Sequence, residues 1–317
     1  MAKLYQFLRL IRSLNLLVIV FTMYAVQYFI SNYSSDAGIL DFDFILLVFS
    51  VVLIAAAGNI INDYFDVKAD RVNKPDRLII GKYIKRRWGI MFNWILNFIG
   101  FSLALYISIK TDQYLIVLLA TFSIVLLWLY SMLLKRRVLI GNIAVALMVA
   151  LVPVYVLLFY RADIHILEGL QREHTDYYVF MIVMGFASCA FFINLLREIT
   201  KDLADILGDK KIDANTYPIK YGVPSTKILI SILAAAYISF LFFLYSELNE
   251  LLLNRFDHQL AFNKYLNVVY FVLVVFVANF MFAVILTIFS KSTKLYKLSS
   301  NFYKLAMLAG VSLIFFL

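Results

Sequence analysis

Cysteine, histidine and charge are all scarce in this 317-residue chain. The single cysteine, Cys189, excludes an intrachain disulfide and a thiol-pair redox centre. Charged residues make up only 15% of the chain, where soluble domains carry about a quarter. Only 4 prolines are present, so few apolar stretches are interrupted. No basic stretch stands apart from the membrane pattern described below, which argues against a nucleic-acid partner.

Apolar residues take the vacant share, at 63% with a mean hydropathy of +0.87. They fall into runs of about 20, the length that crosses a bilayer core about 30 Å thick. Nine such spans are expected, at 13–31, 44–61, 88–109, 114–132, 138–160, 177–196, 226–246, 266–289 and 300–317. The expected fold is therefore all-α, a polytopic membrane protein forming one domain over residues 1–317. The first run follows Lys3, Arg9 and Arg12 as a secretion signal would, but it is long and lacks a small-residue cleavage site. It reads as the first span.

Charge sorts the connections. With the N-terminus and the connections after spans 2, 4, 6 and 8 on one side, that side collects 24 Lys+Arg and 9 Asp+Glu. The opposite side collects 5 Lys+Arg and 11 Asp+Glu. The positive-inside bias makes the basic side, and the N-terminus, cytoplasmic. The net charge of +9 is then a sorting signal and a contact with anionic lipid headgroups. His165, His174 and His258 all fall on the other side, so imidazole-built metal sites on the cytoplasmic face are excluded by count.

Acids are uncommon on the basic side, yet two clusters of matched spacing occur there. Asp63, Asp66 and Asp70 follow span 2; Asp202, Asp205 and Asp209 follow span 6. In each the carboxylates stand at i, i+3 and i+7, one face of a helix, so each span is expected to extend into its connection (62–87 and 197–225). Three stacked like charges call for a cation. One such run would more often be a solvated helix end, but two of matched spacing point to paired Mg²⁺ sites that hold a diphosphate between them. Cations suited to phosphate surround the acids: Arg12, Arg71, Lys74, Arg77, Lys135, Arg136, Arg137, Arg197 and Lys201. Lys85, Arg86, Arg87, Lys291, Lys294 and Lys297 read instead as topology determinants.

Aromatic residues are abundant, at 29 Phe, 21 Tyr and 3 Trp. Most suit the lipid boundary. Tyr64, Phe65, Tyr130 and Tyr155 are candidates to line a cavity in which ring faces shield a carbocation. Pro153 falls inside span 5, where a kink is expected.

These residues resemble the UbiA-type intramembrane prenyltransferases. Asn62-Asp63-x-x-Asp66-x-x-x-Asp70, followed by Arg71-Val-Asn-Lys74-Pro-Asp-Arg77, is similar to the first signature of that family. Arg197-Glu-Ile-Thr-Lys201-Asp202-x-x-Asp205-x-x-Gly208-Asp209 is similar to the second. Tyr130 to Lys135, Gly141-Asn142 and Thr216 to Gly222 match smaller landmarks in the expected order, so the resemblance covers essentially the whole chain. It implies helices around a central cavity and Mg²⁺ as cofactor. Asn62, Asp66, Asp70, Asp202, Asp205 and Asp209 would be metal ligands, with Asp63 an alternative or supporting one; Asp66, Asp70, Asp205 and Asp209 would carry catalysis. Arg12, Lys74, Arg77, Tyr130, Lys135, Arg197 and Lys201 would hold the isoprenyl diphosphate or an anionic acceptor. The loops look most like the branch that prenylates geranylgeranylglyceryl phosphate. Two departures stand out: Leu78 where that branch usually has Pro, and Asp213 where Gly is common.

The implied protein is an integral, multi-pass enzyme of the cell's inner or plasma membrane with its active site facing the cytoplasm. Its partners are an isoprenyl diphosphate, a lipid or aromatic acceptor and membrane lipids, with no obligate protein partner evident. An aromatic or quinone-precursor acceptor is the alternative within the enzyme class, and haem finds no cytoplasmic histidine. A cation-coupled transporter would instead place its acids at mid-span. A receptor or scaffold has no use for matched acidic triplets.

Overall fold

The computed structural model describes residues 2–32, 41–73, 75, 78–160, 175–211, 213–255 and 259–316. Among them the chain is helical, with no β-structure beyond a single bridge between Ile80 and Ile84. The helices are α1 (Ala2–Leu10), α2 (Ser13–Ser31), α3 (Phe42–Asn73), α4 (Arg86–Lys110), α5 (Tyr114–Met132), α6 (Ile140–Phe159), α7 (Thr175–Lys211), α8 (Tyr217–Arg255), α9 (Gln259–Phe289) and α10 (Thr293–Leu313).

Eight of them, α2 to α9, contain stretches long and apolar enough to cross a membrane. The ninth expected span corresponds to α10. It starts at Thr293 rather than 300, and it carries Lys294, Lys297 and Lys304, which keep it below the same standard. The two connections expected at 62–87 and 197–225 are mostly helix. α3 continues through the first acidic cluster to Asn73, and α7 through the second to Lys211. Local 3.6-residue periodicity thus carries both acid faces as rigid extensions of buried helices. α8 begins within the second connection at Tyr217 and is interrupted at Gly222, whose φ of 84° and ψ of 164° are open to glycine.

The helices close a ring. α3 packs on α4 and α5, α6 on α7, α7 on α8 and α10, α10 on α9, and α2 bridges to α3, α6 and α10. One apolar core joins α2 to α7 through Phe29, Phe44, Leu47, Ile107, Val156 and Ile182. A second joins α6 to α10 through Leu196, Ile230, Tyr237, Phe280 and Tyr303. Small residues set the close approaches. A Cβ on Gly100 of α4 would lie 3.1 Å from the Ser50 carbonyl of α3, and the Ser50 hydroxyl donates to the Gly100 carbonyl at 2.7 Å. Large apolar side chains such as Trp94, Phe98, Leu118 and Phe271 point outward, as a lipid-facing ring requires. Pro153 is buried within α6, which remains one helix from Ile140 to Phe159.

Candidate active site

The ring encloses a cavity of about 1970 Å³. All seven expected metal ligands line it: Asn62, Asp63, Asp66 and Asp70 from α3, and Asp202, Asp205 and Asp209 from α7. Arg12, Tyr130, Lys135, Arg197 and Lys201 line it too. Lys74 and Arg77 lie outside the described residues. The opposite end of the cavity is apolar, walled by Ile54, Met148, Val152, Ile182 and Phe186, and includes the buried Tyr155–Ser123 hydroxyl pair at 3.0 Å. Tyr155 is 13 residues beyond Asn142 on α6, about 20 Å along the helix axis. Tyr64 and Phe65, also candidates from sequence, instead pack edge-to-face on one another, and neither lines the cavity.

At the polar end the acids are held apart by specific partners. Arg12 donates to Asp63 Oδ1 at 2.7 Å. It reaches that carboxylate because residue 12 breaks α1 from α2 in a left-handed conformation, φ 55°, a region only sparsely open to non-glycine residues. Burial alone would lower its pKa, but Asp63 and neighbouring groups outweigh that and raise it, so the guanidinium stays charged. Lys135 Nζ donates to Asp66 and, at 3.4 Å, to Asn62 Oδ1. Burial again opposes the charge. Asp66, Tyr130 and Asp70 reverse its effect and raise the lysine's pKa.

Lys135 sits in a short turn, Leu134–Arg136, pressed against the start of α6. A Cβ on Gly141 would come within 2.9 Å of the Lys135 Cα and of the Leu134 carbonyl oxygen, so only glycine permits this approach. The same turn reaches the far side of the site, where the Asn215 N–H donates to the Arg136 carbonyl at 2.9 Å. Just before it, Asp213 has a φ of 54°, the left-handed region that glycine favours. That accounts for glycine being common there in the resembling branch, and Asp is among the residues that tolerate the region best.

Three residues on this wall were not singled out as site residues from sequence. Asn142 Nδ2 donates to Asp202 Oδ2 at 2.9 Å. Glu198, 7% exposed, accepts from Arg197 Nη1 and from Lys201 Nζ, each at 2.7 Å. These two cations therefore have a carboxylate partner before any substrate arrives. Lys304 of α10 lines the same cavity. It is the one charged residue within 300–317, a signal the sequence did contain.

The residues fit magnesium. The donors are all carboxylate or amide oxygens on facing helix ends, the hard ligand set Mg²⁺ selects. No three of the described acids converge into a closed cage. Mg²⁺ does not require one, since it takes one or two carboxylates and completes its shell with water and substrate phosphate oxygens.

The family model of the UbiA prenyltransferase family matches residues 18–307. The chain belongs to the UbiA prenyltransferase family. As such it is an integral, multi-pass membrane protein. Among curated UbiA relatives, digeranylgeranylglyceryl phosphate synthase of Pyrococcus abyssi is 36% identical over 196 residues, 62% of this chain and 63% of that protein. The synonymous enzyme of Methanosphaera stadtmanae is 34% identical over 193 residues, 61% of this chain and 63% of that protein. The matched region thus spans less than two thirds of these relatives' length. A solved structure of a digeranylgeranylglyceryl phosphate synthase superposes with a TM-score of 0.63 at 24% identity, covering 99% of this chain and 98% of the other. A UbiA homolog from Archaeoglobus fulgidus bound to DMAPP and Mg²⁺ gives 0.52 at 15% identity, covering 98% and 99%. Both share the fold.

Proposed function

We propose that this UbiA protein catalyses the Mg²⁺-dependent transfer of a geranylgeranyl group from its diphosphate to geranylgeranylglyceryl phosphate, with the active site opening to the cytoplasm. The observation that carries this reading is the shared cavity: two acidic helix faces meet at one end of a chamber whose other end is hydrocarbon-lined. A diphosphate with an isoprenoid tail has the same two-ended character. The names of the curated relatives supply the acceptor, and the diphosphate and Mg²⁺ bound to the Archaeoglobus homolog support the donor.

In this reading Asn62, Asp66 and Asp70 with Asp202, Asp205 and Asp209 hold Mg²⁺, which when bound neutralises the departing diphosphate. Asp63 fixes Arg12. Lys135, Arg12 and Lys201, with Lys74 and Arg77, bind diphosphate oxygens, whose charge displaces the lysine and arginine contacts now made to acids. The C1–O bond of the donor breaks with its electron pair leaving on diphosphate. The acceptor hydroxyl oxygen then forms the new bond to C1 and releases its proton. The water-poor apolar chamber protects the allylic cation from hydrolysis, and Tyr130 presents a ring at its mouth.

Incubating membranes that contain the protein with labelled geranylgeranyl diphosphate, Mg²⁺ and a panel of acceptors tests this. Label should appear in digeranylgeranylglyceryl phosphate. Label only in an aromatic acid or quinone precursor would replace the acceptor, and no transfer to any acceptor would reject the reading.

A further inference from the structure

One wall of the cavity presents donors without acceptors. Asn194 of α7 is 2% exposed, lines the cavity, and its Nδ2 has no hydrogen-bond partner. One turn on, Arg197 Nη1 donates to Glu198 Oε1 at 2.7 Å and, at 3.4 Å, to Asn194 Oδ1, while its buried Nε has no acceptor. A buried N–H without an acceptor is destabilising, by the desolvation it suffers on folding. Across from them Lys304 of α10 donates to Asn15 Oδ1 of α2 at 2.8 Å, a neutral partner that leaves the ammonium charge uncompensated by that bond. Arg197 and Lys304 line the same cavity from α7 and α10, helices that pack on one another. Glu198 is already shared between Arg197 and Lys201. Amide, guanidinium and ammonium N–H groups facing one space, with an excess of positive charge, match a tetrahedral dianion.

We propose that Asn194, Arg197 and Lys304 form a phosphate-monoester subsite that holds the headgroup of the acceptor, apart from the carboxylates that surround the diphosphate. The inference rests on the proposed acceptor being a glyceryl phosphate. Spacing favours it: Arg197 is five residues before Asp202, about 8 Å along α7. In a glyceryl phosphate two carbons separate the phosphate ester oxygen from the hydroxyl to be prenylated. With its phosphate at Arg197 the acceptor can turn that hydroxyl toward the Asp202 end, where the donor C1 would lie. Lys304 contributes from α10, outside both acidic signatures, and selects a phosphorylated acceptor over an aromatic one.

The test is a kinetic split with a binding arm, using the full-length protein in detergent or membranes. Lys304→Met and Asn194→Leu should each raise KM for geranylgeranylglyceryl phosphate by about ten- to a hundredfold, and leave KM for geranylgeranyl diphosphate within about twofold. Lys304→Arg should restore most of the loss. Equilibrium binding of labelled geranylgeranylglyceryl phosphate, without donor or Mg²⁺, should weaken by the same factor, and glycerol phosphate and inorganic phosphate as competitors separate headgroup recognition from general anion binding. A matching rise in KM for the diphosphate, or unaltered acceptor binding in folded variants, would overturn the subsite. Lys304-dependent binding of the acceptor by a protein that never prenylates it would uphold the subsite while rejecting the proposed reaction.

Discussion

Arg12 and Asp63 are joined at 2.7 Å across 51 residues of chain, so the break between α1 and α2 is tied to the first acidic helix face. The Arg12 side chain is 41% exposed, which tempers the strength of this pair. A double-mutant cycle of Arg12→Ala and Asp63→Asn should return a coupling of about 1 kcal/mol in thermal or denaturant unfolding. Independent effects would show that the pair does not hold the break in place.

In the proposed reaction Asp66 and Asp209 would each hold Mg²⁺, one from each acidic helix face. Replacing either with Ala should bring prenyl transfer below detection, while circular dichroism and melting show a folded protein. Turnover retained by both variants would reject the metal assignment. Chelation by EDTA should stop transfer, and restored Mg²⁺ should return it; activity that persists in EDTA is incompatible with the mechanism.

Gly141→Ala places a methyl group 2.9 Å from the Lys135 Cα and the Leu134 carbonyl oxygen, neither of which is the end of a flexible side chain. Overpacking of this kind costs about 1–3 kcal/mol, and here it moves the cation that meets Asp66. Transfer should fall more than tenfold, read as kcat/KM for the prenyl diphosphate, with the melting temperature lowered by about 2–10 °C. Wild-type activity would show that the backbone approach is unnecessary.

Asp213 tests backbone strain away from the ligands. Asp213→Gly should leave stability equal or higher, whereas Asp213→Val should lower it by about 1–2 kcal/mol, because a β-branched residue resists φ near 54°. Melting in detergent distinguishes the two. A valine variant as stable as wild type would remove the strain argument.

The helical membrane fold and both acid faces were legible in the sequence because each depends on local spacing. Runs of apolar residues give α2 to α9, and the i, i+3, i+7 carboxylates fall on α3 and α7 as expected. The partners of those carboxylates were not legible. Asn142 meets Asp202 over 60 residues and Lys135 meets Asp66 over 69, distances no periodicity encodes. Asn194 falls within the expected span 177–196, and the burial of its Nδ2 without an acceptor emerges only when α7 is packed.

The hydrogen bond from Asn215 to the Arg136 carbonyl fastens the strap after the second acidic helix to the turn that bears Lys135. The rim is consequently stitched across its own midline. Breathing at the mouth must recruit both halves together, so amide exchange at Asn215 and at 134–137 should slow in concert when a diphosphate enters. Independent rates would mean that the stitch is loose and each half opens alone.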